Sequence, residues 1–483
     1  MVAGGRVFVG TNNERPRNRR DTMPVPGGMR EPLDKGVVMC FRASDGDILW
    51  QAVHDKLPNP HVSDWPRIGI PSTPTVVGDR VYYTSNRSEI VCADASGFAD
   101  GRRGNKRVGY DDDTDADILW SYDLIAELGV MPHNGSPCSP LVADGRVFVI
   151  TANGVDENHN RVKAPDAPSF VALDAKTGKL LWKDNSPGKD IHHGQWSSPA
   201  YAAKPVPQVI CAGGDGWLRA FEPATGKLLW KFDGHPEAGK YELGGASARN
   251  PFVAVPVVVG DRLYVGTGDD PEHFTGSANL WCVDLTKAVE FGKTSPNRDV
   301  SAAGDTFDPA AKGNAKSAVA WHFGGPDDRT HAVRDFHFGR TMSSCCVVDD
   351  ALYVAEIGGY LHCLNAKTGE KHWHYDMKSS AWGGPTYADG KVFVGCEGGE
   401  LFVFRHRPKP FVLDPDDEAS RATDPKSANV ARKAARKKVA EAVLIRKVEF
   451  PAAIRTTPTV AGEVLYVSTE NTLYAIGSGS DRR

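Results

Sequence analysis

No stretch of this chain is apolar for long enough to cross a bilayer. The longest, Phe252 to Val259, is broken by Pro256 and falls well short of the roughly 20 residues a spanning helix needs. An excess of one charge is also lacking. The 57 Lys and Arg nearly balance the 61 Asp and Glu, and a net charge of −4 gives no whole-molecule attraction for nucleic acid or anionic lipid. The local signatures G-x-S-x-G, H-E-x-x-H, C-x-x-C and the Walker sequence are all missing, which removes the simplest hydrolase, metalloprotease, dithiol and nucleotide-binding readings. Nine cysteines cannot all pair within the chain. Turn-forming residues, by contrast, are plentiful: 50 Gly and 33 Pro favour many short strands over long helices. A chain of 483 residues is too long for one ordinary core unless its architecture repeats.

A repeat is present. Each unit has a Pro-containing apolar strand, then G-x-x-hydrophobic-Tyr/Phe-Val, a Gly- or Asp-rich turn, a second alternating strand, Asp-Ala-x-Thr-Gly-Lys, and a strand ending in Trp. The clearest copies are FVALDAKTGKLLW (170–182), LRAFEPATGKLLW (218–230) and LHCLNAKTGEKHW (361–373), with looser ones ending at Trp50, Trp120 and Trp321. Segments such as RVFVG, RVYYT, RLYVG and KVFVG alternate on the two-residue period of sandwiched strands. The Thr-Gly pairs supply the residue tolerant of positive φ that a tight hairpin needs. Each terminal Trp carries more apolar surface than one four-stranded sheet can bury, and a neighbouring sheet stacked radially would cover it. Cys40, Cys92, Cys282 and Cys363 share one position of the repeat, where another copy has Ala172. That equivalence reads them as small buried apolar residues.

Eight strand sets, near 2–50, 71–120, 136–182, 197–230, 250–321, 340–373, 382–450 and 455–477, predict an all-β, eight-bladed β-propeller of four-stranded antiparallel blades, one domain over 1–483. The first and last blades read as incomplete. Either an upstream segment, missing from an N-terminally shortened chain, completes both, or three-stranded terminal blades close the ring. Insertions fall at 12–34, 98–117, 289–317 and 407–442. The last contains ANVARKAARKKVAEAV, whose composition favours a solvated surface helix.

In such a ring the first strand of each blade lines the channel. The loop leading into it opens on one face together with the loop between the second and third strands. The lead-in loops place Trp65 and Arg67, His133 and Asn134, His192, His193, Gln195 and Trp196, Arg249 and Asn250, Arg340, Trp382 and Arg455 around one mouth. Four arginines there repel one another unless water or an anion compensates, and guanidinium forks beside flat indoles suit an anionic or planar ligand or an acidic peptide. Alternatively, the same arginines bond carbonyls of neighbouring blade loops. Acids on the second-to-third loops (Glu14, Asp156, Glu157, Asp215, Asp269, Asp270, Glu272, Glu356, Glu397, Glu470) do not by their spacing converge on a cation. The local cluster Asp269, Asp270, Glu272 and His273 is the most suggestive, yet no metal ligand is assigned. Ser136, Ser139, Ser197 and Ser198 belong to the repeated strand entry and read as strand starts.

The LDAKTGKLLW element and its copies, over residues 2–477, resemble the PQQ-like repeat of quinoprotein alcohol dehydrogenases and of the related outer-membrane-assembly lipoprotein propeller. The dehydrogenases of that class hold PQQ over the channel, stacked on a Trp, clamped by Arg and bound to calcium, with a catalytic Asp nearby and two adjacent cysteines against the cofactor. By that resemblance Trp196 and Trp382 would stack and Arg340 would clamp. Cys345-Cys346 sits where other repeats have Pro or aliphatic residues (STPTVV, TTPTVA) and reads as a buried small pair. The lead-in loops lack an obvious Asp, Glu and Asn set for calcium and base. The expectation is therefore a non-catalytic propeller that presents its ring face to a protein partner or an anionic small molecule, with no catalytic residue and no cofactor assigned. The alternative is a PQQ- and calcium-dependent dehydrogenase of alcohols or sugars. A nucleic-acid partner and a transmembrane segment are not expected, and a monomer is. The resemblance implies export to the periplasm, although no signal peptide precedes Met1.

Overall fold

Across the middle of five of the seven four-stranded blades runs one row of side chains that explains the repeat. Phe8 pairs with Cys40 and Cys40 with Trp50 on adjacent strands. The same order, aromatic, small, Trp, recurs in Tyr82–Cys92–Trp120, Phe148–Ala172–Trp182, Tyr264–Cys282–Trp321 and Tyr353–Cys363–Trp373. The small central residue lets the two flanking rings approach to 5.9–6.1 Å. The four cysteines are free thiols buried in this row, and burial pushes that of Cys40 up to about 12, so they act as small apolar residues.

A computed structural model of the chain describes residues 1–58, 63–104, 109–110, 112–235, 243, 249–269, 276–301, 315–407 and 413–477. Eight antiparallel meanders follow one another as blades 1 to 8, at 2–55, 75–123, 141–184, 200–233, 257–324, 346–376, 386–449 and 459–477. Seven have four strands. The innermost strand of blade 1 is only Val2–Ala3, and blade 8 has three strands. In all seven four-stranded blades the outer strand carries a register shift one residue ahead of the Trp position. Such a bulge increases the local twist that lets a sheet pack radially. In blade 7 that position is held by Arg446 instead of Trp.

Neighbouring blades meet in two layers. On the inner ring, strand-entry hydroxyls reach across: Ser139 N donates to Ser198 Oγ (2.9 Å), Ser197 Oγ to Ala254 O (2.9 Å) and Thr75 Oγ1 to Pro140 O (2.6 Å). Farther out, four of the tryptophans enter the next blade. Trp50, Trp120, Trp182 and Trp321 donate their indole N–H to Ala95, Ala175, Pro223 and Ala366, carbonyls of the following blade's third-to-fourth turn, at 2.9–3.2 Å. The turn glycine lies flat under the indole: a Cβ on Gly226, whose φ is +72°, would stand 2.7 Å from Trp182. Two demands, positive φ and ring contact, thus coincide on one glycine.

The insertions add a hairpin (Thr22–Pro24 with Arg30–Pro32) to blade 1 and helices elsewhere. Helix α1 (Leu124–Leu128) follows blade 2, and α2 (Leu285–Gly292) stands where blade 5 would otherwise make its outer turn. There Trp230 turns to its own blade and donates to Gln208 Oε1 at 2.7 Å. Helices α3 (Pro415–Ser420) and α4 (Pro425–Val443) occupy the 407–442 insertion. The charged composition of α4 suggested a solvated helix. The structure instead buries Ala428, Arg432, Ala435, Val439 and Val443 as one stripe, with Val439 and Val443 in the cluster of Trp373 and Phe404. No helix is long and apolar enough to cross a membrane among the described residues.

Candidate functional site

The lead-in loops and the second-to-third loops are tied together blade by blade. His133 N bonds Ala152 O (3.1 Å), His192 N bonds Gly214 O (3.1 Å), Ile357 N bonds Arg340 O (3.0 Å), Glu397 N bonds Ser380 O (2.8 Å) and Glu470 N bonds Ala453 O (2.9 Å). Both loop sets therefore form one surface at the same end of the blades.

On that surface the residues fall into three groups. At blades 2 to 4, the Trp65 indole donates to Asn134 Oδ1 at 2.7 Å, and that of Trp196 to His133 O at 2.8 Å. His193 lies 4.5 Å from His133 and 4.9 Å from Trp196 between ring centroids. Gln195 is fully buried beside them and donates to Asn153 O at 3.4 Å. Burial, then the nearby His193, push His133 down to about 4. At blades 5 and 6, Arg340 Nε donates to Asn250 Oδ1 at 2.8 Å, and Asn250 Nδ2 to Ser277 O at 2.7 Å. At blades 7 and 8, Arg455 lies over the Trp382 ring at 5.1 Å and bonds Glu397 and Glu470, both at 3.1 Å.

The arginines thus differ in kind. Arg249 is buried and paired with Asp233 at 2.5 Å, an aspartate at the end of the preceding blade. Burial pushes the Asp233 carboxyl up to about 6 even against that guanidinium. Arg455 is satisfied by two glutamates. Arg67 is exposed with positive φ; its backbone N–H is held by Asp34 at 2.8 Å and its carbonyl by Asn12 at 2.7 Å. The compensation that four converging arginines need is supplied in part by carboxylates of the chain itself. These partners lie in other loops or other blades, so no local spacing signalled them.

Sequence reasoning missed His159, at the tip of the second-to-third loop of blade 3. Its ring centroid lies 5.1 Å from His133 and 4.6 Å from His193. The available signal was the local density of histidine in HN, ENHN and HH between 133 and 193. The Asp270, Glu272 and His273 cluster lies outside the described residues.

With this geometry fixed, comparison with known proteins places the chain. The model of the family described as outer membrane protein assembly factor BamB matches residues 34–268 and 310–407. The chain belongs to that family. A BamB from Moranella endobia (strain PCIT) is 21% identical over 68% of this chain and 70% of its own length. The crystal structure of BamB from Moraxella catarrhalis superposes with a TM-score of 0.53 at 15% identity, covering 97% of this chain and 99% of that one, a likeness of fold. Dehydrogenases resemble it too. The 1-butanol dehydrogenase (cytochrome c) of Thauera butanivorans is 25% identical over 62% of this chain and 42% of its own length. The polyvinylalcohol dehydrogenase of Sphingopyxis sp. (strain 113P3) is 33% identical over 26% of this chain and 19% of its own length. The chain therefore spans less than half of these enzymes.

Among the described residues, four carboxylates of the BamB-type face are already committed and do not fit the calcium that quinoprotein dehydrogenases would imply. Asp215 is held by both nitrogens of the Arg219 fork at 2.7 and 3.0 Å. Glu356 is fully buried between Arg334 and His362, the latter at 2.6 Å; burial alone would raise it, yet these two partners hold it down to about 2. Glu397 and Glu470 belong to Arg455. Carboxylates already neutralised by arginine do not make the converging oxygen cage calcium requires. Cys345 and Cys346 are free and alternate across the strand Cys346–Val348: Cys345 joins the blade 5–6 cluster and Cys346 packs on the blade 6–7 one.

Proposed function

We propose that this chain is a non-catalytic propeller that presents its lead-in face to a protein partner, anchored at the loop entering blade 2. The observation that carries this reading is the exposure of Trp65 (38%) and Ile68 (50%) on either side of exposed Arg67. An indole, a branched aliphatic and a guanidinium side by side are the residue types and patch character that mark interface anchors. Arg340, Trp382, Arg455 and the His133–Asn134–His193–Trp196 group form the wider rim, with Arg249, Asn250 and Gln195 buried as its support. An acidic peptide segment suits Arg67 better than a free small anion, because Arg249 and Arg455 already hold carboxylates and do not join Arg67 in a shared anion clamp. The name of the assembly-factor relatives supports both the platform role and export beyond the inner membrane.

A second reading, a PQQ- and calcium-dependent dehydrogenase of alcohols or sugars, draws on the names of the enzyme relatives. One set of experiments separates the two. A photo-crosslinking residue at Ile68 should give a discrete adduct that is lost in Trp65→Ala, while the same group at Val77, exposed at the opposite end of blade 2's inner strand, should not give it. Identical adducts from both positions, or none from Ile68, overturn the platform. Dye-linked alcohol oxidation after addition of PQQ and calcium establishes the enzyme instead.

A further inference from the structure

Histidine is concentrated in one corner of the lead-in face. We propose that His133, His159 and His193 bind a divalent transition-metal ion of the zinc class, one imidazole nitrogen each. This goes beyond the platform reading and stands whether or not that face binds a protein.

The three side chains come from three different loops: the entry to blade 3, the second-to-third loop of blade 3, and the entry to blade 4. Their candidate ligand atoms all lie within 4.8 Å of one another. A tetrahedral ion with bonds of about 2.0–2.1 Å separates its ligands by about 3.3 Å, so the rings have to draw in by at most about 1.5 Å.

The backbone is built to hold them there. Val155 N bonds His193 O at 2.9 Å and Gly154 N bonds Met131 O at 3.1 Å, drawing the loops together. A Cβ on Gly154 would sit 2.6 Å from both His133 Cβ and His193 O, so only glycine permits the approach. Asn134, Ala152 and His159 all have φ between 56° and 59°, a conformation costly for residues with a side chain and concentrated at ligand sites. Asp156 shapes the His159 turn by accepting from Asn160 N at 2.8 Å, and His159 N bonds Asp156 O at 3.0 Å. Beneath, Val155, Val162 and Ile191 form a small apolar floor.

One protonation state is already set. His133 donates Nδ1–H to Val155 O at 2.9 Å, which leaves its Nε2 lone pair free for a ligand bond, the outer-shell arrangement common to metal-bound histidines. Imidazole donors select zinc, copper, nickel or cobalt over calcium or magnesium. Three protein ligands with the half-buried His159 on the solvent side leave a fourth position for water or a donor from a bound molecule. Among the described residues a second group has metal-like spacing, His374, Asp414 and Asp416; it differs in that Lys371 and Arg329 occupy Asp414 and Arg432 occupies Asp416.

The test uses the untagged full chain, stripped with chelator and titrated calorimetrically with zinc chloride. One ion per chain and a rise in melting temperature are expected, both lost in His159→Ala while the metal-free melting temperature stays unchanged. His133→Gln provides a second variant should His159→Ala perturb the loop. Cobalt substitution reads the donor set. A tetrahedral visible spectrum without thiolate charge-transfer absorption supports three imidazoles, whereas a thiolate band assigns the metal to cysteine and overturns the proposal. Absence of saturable one-to-one binding, or binding undiminished in both variants, overturns it as well.

Discussion

At the scale of single residues, the fold depends on where each tryptophan finds its hydrogen-bond acceptor. Trp182 leaves blade 3, lies on Gly226 and donates to Pro223 O, so two blades share one side chain. Trp182→Ala should cost about 3–5 kcal/mol and Gly226→Ala about 1–3 kcal/mol through backbone strain and overpacking. The two should not add, because removing the indole makes room for the methyl; additive costs in denaturant unfolding would show that ring and turn do not touch. A different residue-scale effect comes from Glu356, held at about 2 by His362 and Arg334 against the opposing effect of burial. A depressed carboxyl stabilises the fold fully above its ordinary value near 4.5 and loses that contribution as pH falls. The stability gap between the native chain and Glu356→Gln should therefore narrow between about pH 4.5 and pH 2. A gap that stays constant over that window counts against the buried triad.

At the scale of elements, strands were legible and helices were legible only in kind. The alternation of RVFVG or KVFVG, punctuated by Asp-Gly and Thr-Gly, marks strand and turn without help from tertiary context, because period and turn chemistry agree. ANVARKAARKKVAEAV announces a helix by composition, but Val439 and Val443 are too sparse among its charges to reveal a packed face. What decides it is the neighbour: Trp373 on the outer strand of blade 6 packs in one cluster with Val439 and Val443, so α4 covers it. Val439→Ala should accordingly cost about 1–3 kcal/mol, whereas Lys437→Ala on the exposed side should be neutral within about 0.5 kcal/mol, both read from thermal melts. Equal, negligible effects would mean that α4 only decorates the surface.

At the scale of the whole molecule, the ring was readable because one unit recurs, and the mouth was readable only as a roll of residue types. Position along the repeat assigns Arg249, Arg340 and Arg455 to lead-in loops, yet it carries nothing about which partner each will meet. Asp233 comes from the blade before Arg249, and Glu397 and Glu470 come from two different blades. His159 sits in a second-to-third loop far longer than its counterparts in blades 2, 4, 6 and 7, so comparison between those copies could not raise it. The indole-on-glycine contact has a larger implication. It always points forward, from one blade into its successor, so every blade of this pattern carries a tongue on one side and a socket on the other. Such a part is interchangeable: a duplicated unit can be spliced between two existing ones without altering either. Where the following blade carries an insertion in place of that turn, the tongue is kept and finds another seat: Trp230 donates to Gln208 in its own blade and Trp373 packs against α4.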